Sequence, residues 1–149
     1  MDIKDFLLPR DAMVDVRASD KAGLLQDLSG RAATALDLAA ERIAAALLKR
    51  EALGTTGTGG GVAIPHARMP EVKGPFGMLV RLRHPINFDA IDGQPVDIVF
   101  LLLLPAAPGG DQLHALASIA RKLRDAGALE RLRRAADGAE LYTAMAQEP

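Results

Sequence analysis

His66 closes a stretch, GTTGTGGGVAIPHAR (residues 54–68), in which five of the first eight residues are glycine. Histidine ordinarily titrates near neutral pH, so His66 is a candidate nucleophile, proton carrier or metal ligand. The glycines raise a different possibility, a loop that cradles phosphate. Their surroundings argue against it. A Walker-type loop needs a Lys and a Ser or Thr straight after its last glycine, and here Gly61 is followed by Val62-Ala63-Ile64. A dinucleotide fingerprint runs strand, glycines, helix, and here a helical pattern precedes the glycines and a strand follows. No nucleotide cofactor is therefore expected. Glycines can also serve only to let a turn pack closely, but that does not explain why five of them lead into a strand ending in Pro-His.

The other two histidines are less pointed. His114 falls in the first turn of a predicted helix, off its Leu113-Leu116-Ala120 face, with Ser118 and Arg121 following it at helical spacing. A solvated helix start is the alternative. His84, between Arg83 and Pro85, reads as a loop residue at a strand end. His66 and His114 could meet in space, but no HxH, HExxH or cysteine cluster supports a metal site. The G-x-S-x-G elbow of a serine hydrolase is missing. Asp89, Asp92 and Asp97 read as turn and strand-edge residues.

The composition bounds the classes open to these residues. With 149 residues the chain predicts one domain. There is no cysteine, which excludes disulfides, thiolate metal sites and cysteine nucleophiles together. Net charge is −1, from 18 basic and 19 acidic residues, and aromatics are 3%. Neither a basic footprint nor stacking platforms for nucleic acid are present. The run Arg131-Leu132-Arg133-Arg134 has acidic neighbours Glu130 and Asp137 and reads as a solvated helix face. The start MDIKDFLLPRDAM has no apolar core, and the longest apolar run, Ile98 to Leu104, is too short to span a bilayer. A soluble cytoplasmic protein without membrane insertion is the expectation.

Several elements must position His66. Ala12 to Val16 predicts a short strand. Ser19 or Asp20 caps a helix from near Lys21, with Leu24, Leu25, Leu28, Ala32 and Ala35 on one face. Asp37 reads as a second cap, for a helix carrying Ile43, Leu47 and Leu48 to about Ala52. Val62-Ala63-Ile64 is a brief strand stopped by Pro65, which holds Ile64 extended. Met78, Val80 and Leu82 alternate with Arg81 and Arg83, as in a half-exposed strand. HPINFDAIDGQP reads as a loop or hairpin. Val96 to Leu104 is apolar on both faces and therefore central. Pro105 to Gly110 forms a loop. Asp111 caps a helix to about Asp125 closed by Gly127, its buried face Leu113, Leu116, Ala117, Ala120 and Leu123. Asp137 with Glu140 caps a last helix through Tyr142 and Met145. Helices interleaved with strands imply an α/β layered fold.

The block REALGTTGTGGGVAIPHAR resembles the signature T-G-x-G-x-G-x-A-I-P-H of the fructose/mannitol-type IIA components (EIIA type 2) of the bacterial phosphoenolpyruvate:sugar phosphotransferase system, here Thr56 through His66. INFDAIDGQPVDIVFLLLLP and LHALASIARKLRD extend the resemblance in order, over nearly the whole chain. Within the family it is most similar to the nitrogen-regulatory IIA proteins. The resemblance implies one domain over residues 1–149 (core about 5–146), a mixed and mainly five-stranded β-sheet with helices on both sides, and no cofactor or metal. It implies that His66 is the phosphorylated nucleophile, that His114 is the second active-site histidine, and that Arg50 stabilises the phosphate charge. Backbone N–H groups of the glycine-rich loop are expected to help. Thr58, Gly60 and Ala67 depart from the usual residues, and Gly60 removes a potential side-chain contact near the site.

The implied function is a phosphocarrier. It takes a phosphoryl group from an HPr-like carrier and acts in nitrogen-related regulation through phosphorylation-dependent binding of targets such as transporters or kinases. One alternative is a sugar-transport IIA that passes phosphate to a separate IIB cysteine. Another is a non-catalytic binding module. Neither a IIB cysteine nor the long apolar spans of a membrane IIC domain occur in this chain.

Overall fold

Val96–Pro105 is the strand around which the chain is laid. From Val96 to Leu104 every residue but Asp97 is buried. The computed structural model describes residues 2–107 and 110–147, apart from the Asp111 side chain. After a 3₁₀ turn at Ile3–Asp5 come β1 (Leu7–Val16), α1 (Lys21–Leu36), α2 (Ala40–Ala52), β2 (Gly57–Gly59), β3 (Val62–Ala63), β4 (His66–Met69), β5 (Phe76–Ile86), β6 (Val96–Pro105), α3 (Gly110–Arg124), α4 (Ala126–Arg134) and α5 (Gly138–Ala146). The sheet follows the order β1-β5-β6-β3-β2, with β4 also paired to β6. It is mixed: β1 is parallel to β5, β3 and β4 are parallel to β6, and the β5–β6 and β2–β3 pairs are antiparallel.

Alternation along β6 supplies both cores. Val99, Leu101 and Leu103 pack with Leu24, Leu25, Leu28, Ile43 and Leu47 of α1 and α2. Ile98, Phe100, Leu102 and Leu104 pack on the other face with Ala115, Ile119, Leu123, Leu132 and Leu141 of α3, α4 and α5. The fold is thus an α/β sheet with helices on both sides.

The structure corrects several boundaries. β1 begins at Leu7, well before Ala12. It is the sheet edge, so Pro9 interrupts no second ladder, and its bulges accommodate Asp15 at φ 57°. Asp20 is the cap of α1, accepting the Gly23 N–H at 2.7 Å, but Ala35 is exposed. Asp37 does not start α2. It ends α1 in the left-handed conformation, its N–H on the Ala33 carbonyl, and Ala39 precedes α2 without a side-chain cap. β5 is not half-exposed in its middle, because Leu79 faces the second core. Arg81 instead gives its guanidinium to the Leu132 and Ala135 carbonyls at 2.9 and 2.7 Å, closing the end of α4. His84 and Pro85 belong to β5, not to a loop. Gly127 does not close α3: Asp125 caps a separate helix, α4, by accepting the Ala128 N–H at 3.1 Å. Asp137 caps α5 through the Glu140 N–H. Loop positions 108 and 109 and the Asp111 cap lie outside the described residues.

Two glycines test this packing. A Cβ on Gly138 would sit 2.4 Å from the Ala12 carbonyl oxygen, so Gly138→Ala must push α5 off β1. A Cβ on Gly30, inside α1, meets nothing within 4 Å. In urea titrations Gly138→Ala should cost about 1–3 kcal/mol, while Gly30→Ala should gain about 0.5–1 kcal/mol. A harmless Gly138→Ala contradicts the α5–β1 contact.

Candidate functional site

A hairpin carries the chain away from α2 and brings His66 back beside it. At the end of α2, Arg50 donates from Nη1 to the Gly54 carbonyl at 2.8 Å. The chain then runs out as β2 and returns as β3, with Gly57 opposite Ala63 and the Ile64 N–H on the Thr56 carbonyl at 3.0 Å. Gly59, Gly60 and Gly61 make the turn at φ of 100°, 71° and 81°, a run of left-handed residues that side chains with a Cβ disfavour. Val62 stands opposite Ile98 and His66 opposite Leu102, so the turn lies more than four rungs from His66, over about 13 Å.

Both ends of this hairpin are tied down. At the turn, Asp92 accepts the Gly60 N–H at 3.0 Å, and Arg133 donates to the Gly60 carbonyl at 2.8 Å while paired with Asp97 at 2.9 Å. The Gly60 N–H, with that of Gln94, holds the Asp92 carboxyl below the ordinary carboxylate range. Asp92, Asp97 and Arg133 therefore brace the turn, a role that the sequence did not disclose. At the base, Glu51 binds the Thr56 hydroxyl and accepts its N–H at 3.2 Å. Glu51 also pairs with Lys21 at 2.8 Å, and the Lys21 ammonium lies 4.6 Å from the centre of the Phe88 ring.

His66 lines a cleft of about 420 Å³ between α2, β4 and the start of α3. Its half-buried ring places Nδ1 2.8 Å from the Ile64 carbonyl. A carbonyl only accepts, so Nδ1 carries the proton and the neutral ring keeps its lone pair on Nε2. Burial is the largest cause holding the His66 pKa below its ordinary value. The Ile64 bond opposes it, Arg50 adds to it, Glu51 opposes and Arg68 adds. Lys49, Arg50 and Arg68 line the same cleft, and among the described residues no carboxylate does. Leu53 and Leu113, 83% and 67% exposed, form an apolar rim. Among the described residues no group of three His, Asp or Glu is arranged to hold a metal ion.

The structure brings Arg50 to His66 but does not bring His114 there. The face of α3 turned to the sheet holds Gln112, Ala115, Ile119 and Leu123, with Leu116 and Ala120 partly buried against the same core; of the expected face, Leu113 and Ala117 are exposed. A helix turns 100° per residue, so His114 stands about 200° round from Gln112. His114 is exposed, and Gln112, Leu113 and Leu116 are the α3 residues that line the cleft. Gln112 is 5% exposed and donates from Nε2 to the Pro105 carbonyl at 3.1 Å and to that of Ala107. Its Oε1 is buried with no partner among the described residues. Only a correct helical phase would have drawn attention to it. No glycine of the hairpin lines the cleft, so the expected loop N–H donors are not at His66. Thr58 and Gly60 lie by the turn, away from the cleft, and Ala67 lines it.

The α/β domain with helices on both sides thus presents His66 in a cleft lined by Lys49, Arg50 and Arg68, with no carboxylate among the described residues. The model of the family described as "Phosphoenolpyruvate-dependent sugar phosphotransferase system, EIIA 2" matches residues 6–148. A nitrogen regulatory protein of Bradyrhizobium diazoefficiens is 42% identical over 149 residues, which cover 100% of this chain and 97% of that protein. One from Escherichia coli K12 is 42% identical over 128 residues, 85% of this chain and 78% of that protein. The crystal structure of nitrogen regulatory protein IIA-Ntr from Neisseria meningitidis superposes with a TM-score of 0.91 at 32% identity, covering 96% of this chain and 98% of that one. The chain belongs to the EIIA type 2 family of the phosphotransferase system.

The charge balance predicts how His66 titrates. Its midpoint, followed by NMR of the ring, should lie below 6.5. Removing a neighbouring cation (Arg50→Gln) should raise it, and removing the anion (Glu51→Gln) should lower it further. Between the folded midpoint and 6.5 the unfolded chain binds a proton that folded His66 refuses. Stability contributed by this group therefore rises with pH across that window and falls on acidification. A midpoint at or above 6.5 contradicts this electrostatic account.

Proposed function

We propose that His66 accepts a phosphoryl group on Nε2 from the phosphohistidine of an HPr-like carrier. The observation that carries this reading is the Nδ1 contact to the Ile64 carbonyl, which leaves Nε2 as the lone-pair nitrogen in a cleft with Lys49, Arg50 and Arg68. As the donor N–P bond breaks, the phosphoryl group passes to Nε2 and the donor imidazole leaves with its electron pair. His66 keeps the proton on Nδ1, and the Ile64 carbonyl stabilises the positive charge that the ring gains. Phosphoryl transfer spreads charge over the equatorial oxygens, so alignment and fixed cations are what the protein must provide. Arg50 supplies a permanently charged fork whose Nη1 is anchored on Gly54. The lowered pKa keeps His66 neutral, and hence nucleophilic, at neutral pH.

Leu53 and Leu113 give the rim the apolar contact that a docking carrier needs around a charged centre. Full-length similarity to nitrogen regulatory proteins favours a regulatory phosphocarrier over a sugar-transport subunit. Its phosphorylation state then sets which targets, transporters or kinases among them, bind in the cytoplasm. His114 has no part in the transfer in this reading, because it stands outside the cleft.

Incubation with phosphoenolpyruvate, Enzyme I and an HPr-type carrier should place one acid-labile phosphate on the protein. His66→Ala should take none. Arg50→Gln should label roughly 100-fold more slowly, and His114→Ala at close to the normal rate. Labelling of His66→Ala would falsify the assignment.

A further inference from the structure

We propose a second anion site, for a phosphate-bearing small molecule, in the cleft between the end of β1, the start of α1 and the outer half of β5. The cleft measures about 580 Å³, larger than the one at His66, and shares no lining residue with it. Arg17, Ser19, Arg83 and His84 line it. Val16 stands opposite Leu82 in the parallel β1–β5 pair, and Arg17 and Arg83, each next in the chain, both line the cleft. Like charges gathered in one cleft are unfavourable unless something answers them.

Nothing among the described residues does. The side chains of Arg17, Arg83 and His84 are exposed and make no hydrogen bond or ion pair with another described residue. Arg31, Arg42, Arg133 and Arg134, by contrast, each meet a carboxylate. Of the acids nearest Arg17 in sequence, Asp15 and Asp20, neither forms an ion pair with it, and Asp20 has its Oδ1 on the Gly23 N–H. The backbone aims the cluster: between Arg81 and Ile86 the β5 register against β6 breaks, and Arg83 and His84 lie in that bulge. Two guanidinium forks with a hydroxyl and an imidazole match the oxygens of a phosphate or diphosphate. The volume exceeds what a bare phosphate fills and leaves room for an organic body beside the anionic group.

Inorganic pyrophosphate and ADP are the probes, titrated at fixed ionic strength into the ¹⁵N-labelled full chain. Each should give saturable shifts at amides 17–23 and 82–84. The Arg17→Gln/Arg83→Gln double variant should bind at least about tenfold more weakly. Lys49→Gln/Arg68→Gln, in the other cleft, should leave these shifts unchanged. If the double variant fails to fold, Arg83→Gln alone, with a weakening of about fivefold, decides the matter. Shifts confined to the surroundings of His66, shifts that do not saturate, or equal affinity in the arginine variants would each overturn the proposal. Because the readout is binding, it stands or falls apart from phosphorylation of His66.

Discussion

Pairing of residues 62–69 along β6 is the constraint on which the site depends. β6 is buried on both faces and cannot shift without exposing two cores, so whatever pairs with it is fixed in register. Pro65 brings no N–H to this ladder, but its carbonyl accepts the Leu102 N–H at 3.0 Å. The strand thus continues past the proline, and His66 is held opposite Leu102. Once its backbone is fixed there, the Ile64 carbonyl can orient the ring and decide which nitrogen keeps the lone pair.

The cations around His66 are held against their own repulsion. Arg50 is anchored to the Gly54 carbonyl, and Glu51, its chain neighbour, is turned away toward Lys21 and Thr56. Had Glu51 entered the cleft it would have offset the positive field of Lys49, Arg50 and Arg68. Its ties to Lys21 and Thr56 instead join the start of α1, the end of α2 and the base of the hairpin. The same residues that fix the fold here also keep the carboxylate out of the site.

Much of this was legible from local signals. The two-faced apolar run of β6, the Asp20 and Asp137 caps and the strand before Pro65 follow from spacing and chemistry alone. That Arg50 and His66 share one cleft needed the family resemblance, because sixteen residues separate them in sequence. What failed did so for physical reasons. Two residues of the expected α3 face, Leu113 and Ala117, are exposed, Leu113 on the cleft rim, while polar Gln112 is buried by bonds to the Pro105 and Ala107 carbonyls. Burial of a polar residue at the helix start has no signal in the apolar pattern, and the site role of His114 rested on the family resemblance alone. The glycines suggested phosphate contact, but they form a turn at the far end of the hairpin, where Asp92 and Arg133 hold them. Contacts between residues distant in the chain, such as Arg133 with Gly60, have no local signature.

The orientation of the His66 ring is the central claim, and the phosphorylated protein tests it. A long-range ¹H–¹⁵N correlation spectrum of the His66 imidazole distinguishes its two nitrogens directly. The account predicts phosphate on Nε2 with the proton retained on Nδ1, where it meets the Ile64 carbonyl. Phosphate on Nδ1, or a free His66 ring in a protein that carries phosphate elsewhere, would contradict it.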